Sequence, residues 1–266
     1  MRLDQREKSP VPQTTSTDQR TSEAMETVAV IIPTLNEERS IGKVIDGVPM
    51  ADLLRDGFKT TVYVVDGHST DDTREIAVEK GAHTILEERK GKGWAIQTAF
   101  KSITADYAIM VDGDNTYPIE KATEMISLLK TNDVVIGSRL KGTIEPGAMT
   151  KLNVVGNALL SLLAWTLFGA HISDVCTGFW AYRGEAIRRL ELAARGFEIE
   201  ADMFAECVRM GLRIAEIPIT YRARDDQPKL SSLRDGLKIG AFLFRRRFGQ
   251  IKRRTRASRG EAEGAD

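Results

Sequence analysis

Four short, unbroken apolar runs, each bordered by polar turn residues, constrain this chain more than any other feature. Val28 to Ile32 ends at Pro33, Val62 to Val65 at Asp66-Gly67, and Tyr107 to Val111 at Asp112-Gly113-Asp114. The stretch from Asp133 to Ile136 leads into Gly137-Ser138-Arg139. Runs of this length without alternation suit strands covered on both faces. Helical patterns separate them: Glu37 to Val48, Asp72 to Lys80, Gly93 to Ser102 and Pro118 to Lys130. Ser69, Thr70 or Asp71 is available to cap the second, and proline opens the fourth. Alternating strand and helix predict an α/β fold with a mainly parallel central sheet flanked by helices.

Polar residues gather where the strands end: Asn36 and Glu37, Asp66, Asp112 and Asp114, Arg139. Open α/β sheets bind ligands along that edge, so the placement predicts a site without naming its chemistry.

The second half reads differently. Leu152 to Ser173 runs for 22 residues without Asp, Glu, Lys or Arg, long enough to span a bilayer. Asn153, Asn157, Ser161 and His171 interrupt it, and a span would put the segment after it on the far side from Asp112. A pair of interfacial helices is the expectation, with a buried core helix and a true span as alternatives. Leu233, Leu237, Ala241, Phe244 and Phe248 recur at helical spacing and run into eight basic residues between Arg245 and Arg259. Such a stripe suits an amphipathic membrane-surface helix, and a core-packing helix with a solvated tail is the plainer reading.

The expected division is a disordered polar segment over 1–26, a catalytic domain over 27–232, an amphipathic helix over 233–250, and a basic then acidic tail over 251–266. No apolar signal segment opens the sequence. Formal net charge is zero, which gives no overall pull toward nucleic acid, and the two cysteines, Cys176 and Cys207, make no disulfide framework.

Asp112-Gly113-Asp114 carries the most chemistry. Two carboxylates one residue apart, just past a buried strand, can reach one hard divalent cation if the turn folds them together. Mg2+ or Mn2+ held there would neutralise a leaving diphosphate. A polar turn without metal is the bland alternative for this tripeptide alone.

The surrounding motifs resemble a known family. Ile31-Ile32-Pro33-Thr34-Leu35-Asn36-Glu37, Val65-Asp66-Gly67-His68-Ser69-Thr70-Asp71, Lys90-Gly91-Lys92-Gly93 and the D-x-D are similar to the ordered motifs of inverting family-2 glycosyltransferases with a GT-A fold. Gly137-Ser138-Arg139, Asp174 to Phe179, Ile217-Pro218-Ile219 with Tyr221-Arg222, and Pro228-Lys229-Leu230-Ser231 resemble the dolichol-phosphate mannose synthase branch. The resemblance runs from about Val28 to Leu237.

It implies a GT-A type nucleotide-binding domain that moves a hexose from a nucleotide sugar donor to a polyprenyl (dolichyl) phosphate, with inversion, on the cytoplasmic face of a membrane. Pro33, Thr34, Asn36, Glu37, Asp66, Lys92, Asp112 and Gly113 would bind the nucleotide. Asp112 and Asp114 would hold the metal. Asp114, Arg139 and Asp174 would serve catalysis, and Arg139, Arg222 and Lys229 would receive the acceptor phosphate. Glu198 and Glu200 are possible wall residues. The chain departs from the pattern at Gly67, where a second acid is usual, and at Thr116, where the mannose synthases often carry Gln. The donors GDP-mannose, UDP-glucose and UDP-N-acetylglucosamine stay open. A soluble family-2 transferase with another acceptor, and a non-catalytic nucleotide-sugar or membrane scaffold, are the competing readings.

Overall fold

The computed structural model describes residues 25–224 and 232–260. In chain order the elements are β1 (Glu26–Thr34), α1 (Ile41–Asp46), α2 (Met50–Arg55), β2 (Phe58–Asp66), α3 (Thr73–Glu79), β3 (His83–Leu86), α4 (Lys92–Ser102) and β4 (Tyr107–Val111). After a 3-10 turn (Ile119–Lys121) come α5 (Ala122–Leu128), β5 (Val134–Ile144), α6 (Lys151–Phe168), β6 (Phe179–Arg183), α7 (Gly184–Ile187), α8 (Ile199–Arg209), β7 (Ile214–Tyr221) and α9 (Ser232–Gly260).

One seven-stranded sheet runs β3-β2-β1-β4-β6-β5-β7. Its strands are parallel except β6, which pairs antiparallel with both β4 and β5. The apolar runs build this sheet because each supplies side chains to two layers. Val28, Val30 and Ile32 of β1 join a core with Ile41, Leu53, Met125 and Ile126. Ala29 and Ile31 point the other way, into a core with Ile96, Phe100, Trp180 and Phe204. The period-two alternation fills both faces of a central strand, and each fully buried large side chain contributes roughly 1.5–3 kcal/mol.

The order places a switch between β1, which continues to β2 and β3, and β4 on its other side. Open α/β sheets form their ligand crevice at such a switch, outside the carboxyl ends of the strands. Because β6 runs antiparallel, its amino end meets that same edge, so the Asp174 to Gly178 loop enters the crevice beside Asp112.

Several expected boundaries move. The helix expected over Glu37 to Val48 begins at Ile41, because Asn36 takes a left-handed φ of 52° and Ser40 and Ile41 turn on the Glu37 carbonyl. None of Ser69, Thr70 or Asp71 occupies the N-cap of α3; Asp72 does, while Asp71 accepts from Thr73 N. Pro118 precedes a 3-10 turn rather than the α5 helix. The first strand opens at Glu26, one residue ahead of the expected start of the catalytic domain. Residues 1–24 lie outside the described part.

The pair of helices expected over 152–173 is one helix, α6, capped by the Thr150 side chain and stopped by Gly169 at φ 74°. The amphipathic helix expected over 233–250 is α9, and its backbone continues to Gly260 through the first part of the expected tail. α6 packs on α9, and α9 packs on α8. Arg246 fastens α9 by donating to Asp202, Glu206 and the Glu191 carbonyl.

α6 is long and apolar enough to cross a membrane by length and composition. Inward, Ser161 and Ala164 are buried, and Leu160, Leu163, Leu167 and Phe168 pack half-buried on the core. Outward it shows Leu152 (68% exposed), Val155, Leu159, Leu162 and Trp165, and α9 adds Leu237 (69%), Phe244 and Phe248.

Candidate active site

The D-x-D turn is held from three sides. Ser40 Oγ donates to the Gly113 carbonyl at 2.8 Å and to Glu37 Oε2 at 3.1 Å, tying the turn to the start of α1. Gly113 is required by close approach: a Cβ there would lie 2.8 Å from Thr34 Cγ2. Gly178 packs against Asp112 so closely that a Cβ would meet Oδ2 at 2.2 Å. Tyr117 Oη accepts from Gly178 N at 2.7 Å and keeps the glycine in place.

Asp114 is buried. Its Oδ1 accepts from Thr116 N at 3.1 Å and from Thr116 Oγ1 at 2.6 Å, and its Oδ2 pairs with Arg224. Thr116 thus orients the acid and does not itself offer a free oxygen toward it. Asp112 faces Lys92, whose Nζ lies 2.6 Å from Oδ1 and 2.5 Å from Glu200 Oε1. Lys92 thus bridges the two acids from within the fold as one buried ion cluster.

Burial pushes the Asp112 and Glu200 carboxyls upward, and Lys92 opposes that shift in both. Burial works against the Lys92 charge, but Asp112 and Glu200 outweigh it and hold the ammonium protonated. Arg224 is likewise partly desolvated and kept charged by Asp114.

These residues fit a divalent cation. The two acids offer oxygen only, and glycine at 178 keeps a side chain from crowding Asp112 Oδ2, which a Cβ would meet at 2.2 Å. Among the described residues no group of three His, Cys, Asp or Glu could hold a metal. An arrangement of two carboxylates with the remaining positions left to water and substrate phosphates suits Mg2+ or Mn2+.

On the β1–β2 side, Asn36 Oδ1 accepts from Thr70 N at 2.8 Å, and Asn36 N donates to Ser69 Oγ. Glu37 N donates to Thr73 Oγ1. Fully buried Asp66 accepts from Ser69 N through both oxygens. These bonds lock the first and second strand ends into one wall, with Pro33 at the edge of β1 and Thr34 Oγ1 buried without a partner.

On the opposite side Arg139 is buried. Its backbone N, Nε and Nη2 all donate to Asp174, at 3.0, 2.7 and 2.7 Å, and its guanidinium stacks over Tyr221. Burial opposes its charge, and Asp174 holds it well above the ordinary value. The pairing consumes the Nε–Nη2 edge of the guanidinium.

The structure therefore gathers Thr34, Glu37, Lys92, Asp112, Gly113, Asp114, Arg139 and Asp174 around one crevice. Arg222 does not join them; it pairs with Glu120 at the surface. Lys229 lies outside the described residues. Sequence reasoning passed over Arg224, and nothing in the spacing of Tyr221-Arg222-Ala223-Arg224 separates the two arginines; only the contact with Asp114 does.

The model of the family described as glycosyl transferase family 2 matches residues 29–191, which include every strand that builds the crevice except β7. The chain belongs to glycosyltransferase family 2. This glycosyltransferase is 38% identical over 223 residues to glycosyltransferase AglJ of Haloferax volcanii, covering 82% of this chain and 71% of that one. It is 35% identical over 219 residues to a dolichyl-phosphate hexose transferase of the same organism, covering 82% and 92%. Its fold is of GT-A type. The glucosyl-3-phosphoglycerate synthase of Mycobacterium tuberculosis, solved with Mn2+, UDP and glucosyl-3-phosphoglycerate, superposes with a TM-score of 0.66 at 25% identity. The match covers 90% of the glycosyltransferase and 86% of that chain.

Proposed function

We propose that this glycosyltransferase moves a hexose from a nucleoside diphosphate sugar to the phosphate of a polyprenyl lipid, with inversion, at the cytoplasmic face of a membrane. The observation that carries the reading is the bond from Val175 N to Ser161 Oγ at 2.9 Å. It hangs the Asp174–Gly178 loop, and so the crevice, directly on the helix whose outer side is apolar. The 35% identical dolichyl-phosphate hexose transferase supports the lipid acceptor, and the solved Mn2+–UDP complex supports donor and metal.

Each group then has a task. Asn36, Glu37 and Asp66 line the nucleoside end, with Pro33 and Thr34 beside them. Asp112 and Asp114 would hold the divalent cation, which would supply charge neutralisation to the departing diphosphate. Arg224 and Lys92 stand within reach to exchange their carboxylate partners for phosphate oxygens. Arg139, oriented by Asp174, receives the acceptor phosphate; Arg222 joins it once released from Glu120, and Lys229 follows in the same segment. A phosphate monoester has its second pKa near about 6, so the nucleophile is already largely ionised at neutral pH. Positioning and charge stabilisation suffice, without a dedicated base.

The decisive assay incubates the full chain with Mn2+ or Mg2+, polyprenyl phosphate and radiolabelled UDP-glucose, UDP-N-acetylglucosamine or GDP-mannose. Label enters the organic phase from one donor and is lost with EDTA. The solved synthase was also crystallised with phosphoglyceric acid, which favours a second reading, a soluble phosphorylated acceptor. Label appearing on such an acceptor and none in lipid would move the assignment there.

The membrane part has its own test. The exposed apolar side of α6 and α9 adjoins exposed Arg245 and Arg247, a pattern suited to anionic interfaces. The chain is expected to sediment with phosphatidylcholine–phosphatidylglycerol vesicles. Leu159→Glu combined with Phe244→Glu should weaken that binding by at least about tenfold, since each lost apolar insertion removes roughly 1.5–3 kcal/mol. Equal sedimentation of variant and parent rules this surface out.

A further inference from the structure

The first turn of α8 holds Lys92 twice, once by its side chain and once by its backbone. Glu200 takes the ammonium at 2.5 Å. Two residues on, Asp202 has a fully buried side chain whose Oδ2 accepts from Ala193 N at 2.5 Å and from Ala194 N at 2.8 Å. A buried carboxylate is costly without donors, and here the main chain supplies them.

Those two bonds shape a stretch with no regular structure of its own, residues 190–195. It lies against the turn that carries Lys92. A Cβ at Gly91 would meet the Arg195 carbonyl oxygen at 2.2 Å, and one at Gly93 would meet that of Ala194 at 2.4 Å. Further along α4, Gln97 Nε2 donates to the same Ala194 oxygen at 2.7 Å, and the Arg195 guanidinium lies over the Trp94 ring. Main chain packed this closely cannot shift on one side without displacing the other.

The remaining oxygen of Asp202 belongs to α9. Arg246 Nε donates to Oδ1 at 2.5 Å, and Arg246 Nη2 donates to the Glu191 carbonyl at 2.6 Å and to Glu206 Oε2 at 3.2 Å. Glu206 Oε1 accepts in turn from Glu191 N at 3.1 Å. Arg245 and Arg247 on either side are exposed, whereas the Arg246 side chain is only 19% exposed. Buried Ile239, Phe242 and Leu243 give α9 its apolar attachment. Arg246 adds a directional one, gripping the loop at Glu191 and, through Asp202, at Ala193 and Ala194.

We propose that Arg246 and Asp202 are positioning residues for the donor site: they set the 193–195 loop, and through Gly91 and Gly93 that loop sets where Lys92 stands beside Asp112. The inference rests on the reading that Lys92 meets the donor diphosphate, and it is independent of the lipid acceptor. The helix with the exposed apolar side is thereby also a support of the donor site.

A double-mutant cycle on the full chain tests this. Calorimetry in Mn2+ first establishes which of UDP and GDP the parent binds, and that nucleotide serves throughout. Arg246→Gln should weaken it about fivefold or more. In a Lys92→Met background the same substitution should change affinity by less than about twofold, because the group it positions is gone. Asp202→Asn repeats the cycle from the other side of the bond: its amide oxygen still accepts from Ala193 and Ala194 N, while its NH2 replaces the oxygen that Arg246 needs. An equal factor in both backgrounds gives the pair a structural role and overturns the proposal, as does parental affinity in both single variants. Lys92→Met binding as tightly as the parent overturns the proposal together with the role of Lys92 and leaves the donor reading standing. A parent that binds neither nucleotide overturns the donor reading as well.

Discussion

Asp114→Asn is expected to lower hexose transfer by roughly 10²–10³-fold, the loss typical of removing one preorganised charge-stabilising group, and to weaken Mn2+ binding in parallel. The substitution is isosteric, and the amide oxygen still accepts from Thr116 N and Oγ1, which hold Oδ1 at 3.1 and 2.6 Å. Folding should therefore survive while the anionic Oδ2 that pairs with Arg224 is lost. Manganese titration followed by electron paramagnetic resonance, alongside the label-transfer assay, checks both halves. A variant that keeps parental Mn2+ affinity while losing activity would assign Asp114 to another task. A variant that keeps full activity would remove the D-x-D acids from the reaction.

The second large effect is on stability. Asp174→Ala leaves a buried guanidinium without its partner and strips an acceptor from Arg139 N, undoing three bonds of 3.0 Å or less. Breaking a buried pair in this way costs about 3–5 kcal/mol. For a chain of this size that lowers the melting temperature by roughly 6–20 °C. Asp174→Ala combined with Arg139→Met should regain much of the loss, because neither charge is then left buried alone, yet it should stay inactive for want of the acceptor cation. Thermal unfolding followed by circular dichroism measures both. A single variant melting within a degree or two of the parent would mean that the crevice relaxes enough to hydrate Arg139.

Much of this was legible before any coordinates. The runs at Val28, Val62, Tyr107 and Val134 announce buried strands because a strand covered twice needs no polar face, and their ends announce the site. The exact span of β4 follows from the sharp change at Asp112. β7 escaped notice because Ile214–Tyr221 alternates and carries Pro218, which reads as an edge or a loop. β6 escaped because Phe179–Arg183 is five residues following a motif rich in turn signals. Its insertion between β4 and β5 is a long-range choice that no local pattern records, yet it brings Asp174 to Arg139. In the site, the paired carboxylates could be read from spacing. The pairing of Lys92 with Glu200, and the choice of Arg224 over Arg222, depend on contacts across 108 and 110 residues of chain.

The clustered charges of the crevice carry a further consequence. Asp112, Asp114 and Glu200 face Lys92 and Arg224, so the described cluster stands one negative charge from balance. A dication entering alone would reverse that sign, and a doubly charged sugar nucleotide entering alone would triple the deficit. Together they bring nothing on balance. The pocket is therefore tuned to take salt rather than ion: metal and donor should each raise the other's affinity, and the spent nucleotide should loosen the grip on its own counter-ion as it leaves.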